Sequence, residues 1–108
     1  MSLESVIRTG LQPIVQVVEP NIYTGDATEY IVFNYDELFF YAEGTAKERR
    51  CLVQVHWYLP QKENPLEKKK QIAQTLANSG FTYPTINNVS DGDGQHYVFE
   101  CEYADGDV

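Results

Sequence analysis

Cysteine is scarce in this 108-residue chain, where Cys51 and Cys101 are the two thiols. Two are too few for the disulfide framework of a small secreted scaffold. Cations are scarce as well. Eight Lys and Arg face sixteen Asp and Glu, a formal charge of −8, and no Lys or Arg follows Lys70. Such a field repels a phosphate backbone, because nucleic-acid binding depends on Lys and Arg neutralising phosphates. No nucleic-acid partner is expected. No apolar run approaches the ~18 residues of a membrane span, so no membrane partner is expected either. The N-terminus lacks a basic stretch leading into an apolar one, as a signal peptide requires, and the Asn88-Val89-Ser90 sequon has no secretory context. A chain that is cytosolic, or assembled in a cytosol, is the expectation. A nucleophile elbow, a phosphate-binding glycine loop and a CxxC pair are also missing, so an enzyme is not expected.

What is present suits strands. Eight Tyr and five Phe raise the aromatic share to 13%, and the apolar share of 43% is ordinary for a globular chain. The length fits a single domain over residues 1–108, with a short acidic tail at about 104–108.

Leu3, Val6, Ile7 and Leu11 fall on one helical stripe, with Ser2 as N-cap. Pro13 ends that helix and biases Gln12 away from helical angles. IVQVVEP, between Pro13 and Pro20, reads as an extended arm or edge segment. NIYTGDATEY reads as a turn region with Gly25-Asp26 at its tip. EYIVFNY alternates Ile31, Phe33 and Tyr35 against Tyr30, Val32 and Asn34. Asp36-Glu37 then interrupts, and LFFYAEG offers a second short strand. CLVQVHWY is the clearest strand, with Cys51, Val53, Val55 and Trp57 on the core face. Pro60 closes it.

Asn64, Pro65 and Glu67 signal a helix start as cap, first helical residue and capping-box partner. Leu66, Ile72, Ala73, Leu76 and Ala77 form its stripe, and Lys68, Lys69 and Lys70 point largely to solvent. Gly80 suits a left-handed C-cap followed by the Phe81 contact. FTYPTI is a candidate short strand limited by Pro84, SDGDG is an acidic turn, and HYVFECEY is the last strand. This order predicts an α+β fold, a mostly antiparallel sheet of about four to five strands with two helices packed on one face.

HYVFECEY contains His96, Glu100, Cys101 and Glu102, residue types that build metal and acid–base sites. Strand alternation separates them. Tyr97, Phe99, Cys101 and Tyr103 point inward, whereas His96, Val98, Glu100 and Glu102 point outward. Cys101 then behaves as a small buried hydrophobe, and Cys51, of the same parity, is a candidate neighbour. At ~3.3 Å per residue, His96 and Glu102 lie roughly 20 Å apart, too far for one ion with ligands near ~2 Å. His56, on another strand, is the one further imidazole that could approach. Asp91-Gly92-Asp93-Gly94 is similar to the start of a calcium loop, but the residues before Glu102 read as strand. No metal and no cofactor is expected.

Three features remain as candidate protein-interface residues. Leu38, Phe39, Phe40 and Tyr41 form a run without a polar face, either a strand buried on both sides or an interface. Glu100 and Glu102 form an outer acidic row, which serves solubility or a cationic partner. Lys68, Lys69 and Lys70 are the solvated side of a helix, or they meet the acidic region of a second copy, a contact that salt would loosen.

Over nearly its whole length the chain resembles the small tail-terminator, or tail-completion, proteins of long-tailed phages and prophages. The resemblance runs through the N-terminal helix, the proline-led segment, Tyr23-Thr24-Gly25 leading to EYIVFNY, VQVHWYLP, NPLEKKKQIAQTLANSGF and HYVFECEY. It implies a non-enzymatic virion protein that assembles in the host cytoplasm as a homo-oligomeric ring, expected to be a hexamer. Its partners would be itself, the tail-tube protein and the head-completion or connector protein. Other head–tail connector proteins of the neck are similar, and an acidic inhibitor or immunity-type protein also fits the charge. The resemblance carries no residue-level roles, and the short segment between Tyr35 and Cys51 implies at most a modest projecting hairpin.

Overall fold

The structure, a computed structural model, describes residues 2–105, with Asp105 described by its backbone alone. Its elements in chain order are α1 (Leu3–Leu11), β1 (Val18–Pro20), β2 (Tyr30–Ala42), β3 (Thr45–Leu59), α2 (Leu66–Asn78), β4 (Thr85–Asn88) and β5 (Gln95–Asp105). The strands form one sheet in the order β1-β2-β3-β5-β4. Three of its pairings are antiparallel, and β1 lies parallel to β2. The fold is α+β. Of the expected acidic tail, Ala104 and Asp105 continue β5, and residues 106–108 lie outside the described residues.

Alternation builds the core. Ile31, Phe33, Cys51, Val53, Val55, Trp57, Leu59, Tyr97, Phe99 and Cys101 share one parity, and they join Leu3, Ile7 and Leu11 of α1 and Ile72, Ala73 and Leu76 of α2 in one buried cluster. The helices therefore cover a single side of the sheet. Among the described residues, the opposite side carries no helix. Glu29 ties the layers together, accepting from the buried Trp57 indole at 3.0 Å and from Lys68 at 2.8 Å.

The helix ends follow from their sequences. Ser2 Oγ accepts from the Ser5 amide, as an N-cap does. Asn64 Oδ1 accepts from the Leu66 amide, and Pro65 is already helical. At the end of α2, the Phe81 amide donates to Leu76 O and the Gly80 amide to Ala77 O, with Gly80 at φ +100. That is a Schellman motif, and Gly80 is the residue that makes it possible.

Several details differ from the sequence reading. Gln12 is helical, at φ −58 and ψ −33, because its amide donates to Arg8 O and outweighs the bias from Pro13. Of the proline-bounded segment, Val18–Pro20 alone pairs, at the sheet edge where Pro20 needs no ladder donor. Leu66 is exposed, being in the first turn beyond the sheet's reach. β4 begins after Pro84, and Phe81 forms an isolated bridge to Tyr103.

The largest difference lies in β2 and β3. Asp36-Glu37 does not interrupt β2, because Arg49 on the partner strand reaches Glu37 at 3.1 Å and the ladder continues to Ala42. Glu43 (φ 55) and Gly44 (φ 77) close a two-residue turn with both residues left-handed, the type I′ geometry that matches strand twist. The projecting hairpin is not modest. Seven residues of β2, 36–42, carry it roughly 20 Å at ~3.3 Å per residue. The molecule accordingly measures 54 × 26 × 24 Å, with a radius of gyration of 15.0 Å, against about 13 Å expected for a compact domain of this length.

Candidate functional site: a hairpin arm and an open sheet face

Beyond the body, the arm has few neighbours. Among the described residues, β1 pairs with Ile31, Val32 and Phe33 of β2, and β5 reaches no further along β3 than Arg49. Leu38, Phe39, Phe40 and Tyr41 are 43%, 44%, 45% and 67% exposed, so the run is not a strand buried on both sides. Both of its faces are open. Arg50 lies over the Phe40 ring at 5.0 Å and pairs with Glu48 at 3.0 Å. Between Phe40 and Tyr41 the register shifts, and Lys47 is the extra residue on β3. Such a bulge twists an edge and re-aims its side chains.

The side of the sheet away from the helices divides into two ends. Near the base of the arm, Asp36 stands opposite Leu52 and Leu52 opposite Glu102, with Glu100 opposite Gln54 one row away. These side chains and Tyr83 line a groove of about 410 Å³. Leu52 and Tyr83 are exposed apolar residues within it. Asp36, Glu100 and Glu102 form no ion pair among the described residues. Asn87 donates to Glu100 at 3.4 Å. The acidic row expected from HYVFECEY is thus the wall of a groove.

The other end is aromatic. Tyr23, Tyr30, Tyr58, His96 and His56 contact one another in sequence, the two inner pairs stacked and the two outer ones tilted, with centroid separations of 4.8, 4.7, 4.1 and 5.1 Å. His56 Nδ1 lies 2.9 Å from His96 Nε2, so one imidazole donates to the other. Burial lowers both imidazole pKa values from 6.5. Glu100 opposes the effect at His56, whereas His56 reinforces it at His96 and Asp91 opposes it. Sequence reasoning named His56 as a residue that could approach, but not this stack. The signal was the shared outward parity of Tyr30, Tyr58 and His96.

The three lysines of α2 divide. Lys68 is bonded to Glu29, and Lys69 sits 4.8 Å from the centre of the Tyr97 ring. Lys70 is exposed. Most of the basic run is therefore engaged within its own chain.

Cys51 and Cys101 are buried and in no disulfide, two residues out of register on neighbouring strands. Burial pushes the Cys101 thiol up to about 12, which keeps it protonated at neutral pH. Among the described residues, no group of three or more His, Cys, Asp or Glu could hold a metal ion. What the surface offers is binding area: an amphipathic arm and an acidic, partly apolar groove. Comparison with known proteins adds no assignment, since no protein-family model matches the chain and no curated protein matches it significantly.

Proposed function

We propose that this chain is a structural adaptor that works as a homo-oligomeric ring. Within that class, the reading best supported is a tail terminator of a long-tailed phage or prophage, a ring expected to hold six copies. It would close the tail tube on one side and meet the head-completion or connector protein on the other, within the virion. One observation supports the class: an arm of roughly 20 Å (at ~3.3 Å per residue) whose large apolar residues its own chain leaves exposed on both faces. Apolar surface of that kind is stabilised when a protein partner removes it from water. The sequence resemblance supports the particular member.

The test is native mass spectrometry and negative-stain microscopy of the purified protein, alone and mixed with tail tubes from the same gene cluster. Closed rings at the tube end are the expected result. A protein that stays monomeric with tubes present, and pairs one-to-one with a basic protein instead, would overturn the ring in favour of an acidic inhibitor. The negative field of the groove is the feature that suits that alternative.

A further inference from the structure

β2 is paired along its whole length on one edge and briefly on the other. β3 accompanies it from Tyr30 to Ala42, whereas β1 stops at Phe33 and, among the described residues, no strand continues along that outer edge. The Ile31 amide donates to Val17 O and Phe33 O accepts from Asn21, so odd-numbered residues of β2 turn their backbone groups outward. The extra residue of the bulge belongs to β3, and the alternation along β2 therefore carries through Glu37, Phe39 and Tyr41. Open edges are ordinarily guarded by Lys, Pro or a very short strand. From Asn34 to Ala42 this one has no Lys, Arg or Pro, and of its two carboxylates Glu37 is held by Arg49 at 3.1 Å. Leu38–Tyr41 is thus an unguarded apolar edge.

That edge is complementary to itself. Turned about a two-fold axis at Phe39, the β2 strand of a second copy runs antiparallel to the first. Phe39 then meets Phe39, Leu38 meets Phe40, and Glu37 meets Tyr41. The outward backbone groups of Glu37, Phe39 and Tyr41 all find partners in this register. Leu38 and Phe40 of both copies gather on one face, the two Phe39 rings meet on the other, and Asp36 falls opposite Ala42. Moving the axis to Leu38 would set Asp36 and Glu37 against Phe40 and Phe39, and moving it to Glu37 would set the two glutamates opposite each other. Charge selects the direction. Each copy carries −8. Antiparallel arms keep the Tyr35 residues at the two bodies roughly 26 Å apart at ~3.3 Å per residue, well beyond a screening length of ~8 Å. Arms laid side by side in the same direction would bring the acidic bodies together.

We propose that two copies of the free protein pair through the outer edge of β2 in this register, their arms forming one continuous antiparallel sheet. The contact does not depend on the ring reading. A two-fold contact uses the same surface on both copies and stops at two. The pair is therefore the state of the protein before assembly, and an arm must leave it to enter a ring.

Two experiments test it. In the first, Phe39→Cys and Tyr41→Cys proteins are oxidised separately, with the buried Cys51 and Cys101 as a low background. Residues paired across the axis stand about 5.5 Å apart at Cα, within disulfide reach, so Phe39→Cys should cross-link to itself. Tyr41→Cys, at the more exposed position but four residues out of register with its own copy, should not. Equal cross-linking of the two would overturn the pairing. In the second, Phe39→Pro and Phe39→Thr proteins are compared by sedimentation, with amide exchange at Leu38 and Phe40 confirming that each arm still pairs with β3. Both lose the ring of Phe39, but only proline also removes the outward amide. Phe39→Pro should dissociate at least ~10-fold more easily than Phe39→Thr, equivalent to about 1.4 kcal/mol. Indifference to the proline would overturn edge pairing in favour of a contact between side chains alone. Free wild-type protein that forms rings without the Phe39→Cys cross-link would overturn the pair and leave the ring standing. A cross-linking pair that never forms rings on tail tubes would keep the edge contact and overturn the ring.

Discussion

Body and arm are made from the same two strands, with the same antiparallel ladder and two opposite fates. From Tyr30 to Tyr35, paired with residues 53–58, every second side chain enters the core; Phe33, Val55 and Trp57 are fully buried. From Leu38 to Ala42, paired with residues 45–50, the ladder continues past the buried cluster. There the large apolar side chains remain exposed. Backbone pairing thus extends well past the point where the helices stop contributing burial. The stability of the body and the stickiness of the arm are separable properties of one hairpin.

The sharpest break in that comparison comes from equivalent truncations at the two ends. Trp57→Ala in the body should destabilise the fold by about 3–5 kcal/mol, since it empties a buried site. Phe40→Ser in the arm should change monomer stability by less than about 1 kcal/mol, chiefly through the lost Arg50 contact. Urea unfolding of both variants checks the contrast, and equal losses would mean that the arm is part of the cooperative core.

A smaller effect is expected at Glu29, which holds the Trp57 indole and Lys68 together. Glu29→Ala should cost about 2 kcal/mol, mostly by leaving the buried indole N–H unpaired; the half-exposed lysine adds little. Thermal melts of Glu29→Ala beside Lys68→Ala separate the two contributions, with the first expected to be the larger.

Acid should weaken the body through the histidine pair. Both imidazoles are lowered below 6.5 in the folded state, so the unfolded chain takes up protons first as pH falls. Their stabilising effect is complete above pH 6.5 and is lost as pH falls below it toward the folded values. Protonating both would also set two cations side by side, with Glu100 and Asp91 the carboxylates that oppose the loss. Replacing His56 and His96 together with Gln should flatten the fall of Tm as pH drops below 6.5, relative to the wild-type slope.

The smallest effect lies at the turn of the arm. Glu43 holds φ 55, a left-handed angle that Asn tolerates better. Glu43→Asn should stabilise the arm by about 0.5–1 kcal/mol, read as slower amide exchange in residues 38–49 with little change in the body.

The body was legible in the sequence because one-sided burial leaves a period of two in strands and a stripe in helices. Cys51, Val53, Val55 and Trp57, the α1 stripe, Gly80 and the parity of HYVFECEY all carried that signal. The arm was not, because a strand wet on both faces has no alternation to read. Asp36-Glu37 looks like a break until Arg49, two residues from Cys51 on the partner strand, is seen to pair with Glu37. Glu43-Gly44, a permissive turn pair, was the one local clue to a continuous hairpin. The interface candidates divide likewise. Leu38–Tyr41 and the Glu100/Glu102 row stand on open surface, whereas the lysine run, read as solvent-facing, is partly engaged by Glu29 and Tyr97. The His56–His96 contact depended on strand register, which periodicity does not supply.

The central claim is that the arm exists to hold copies together. Analytical ultracentrifugation of wild-type protein beside the Phe39→Ser/Phe40→Ser double variant tests it most directly, with circular dichroism confirming that both are folded. The account predicts a ring-sized species for wild type, with tail tubes present if they are needed, and a folded monomer for the variant. The same assembly from both proteins, or a wild type that stays monomeric under every condition, would contradict it.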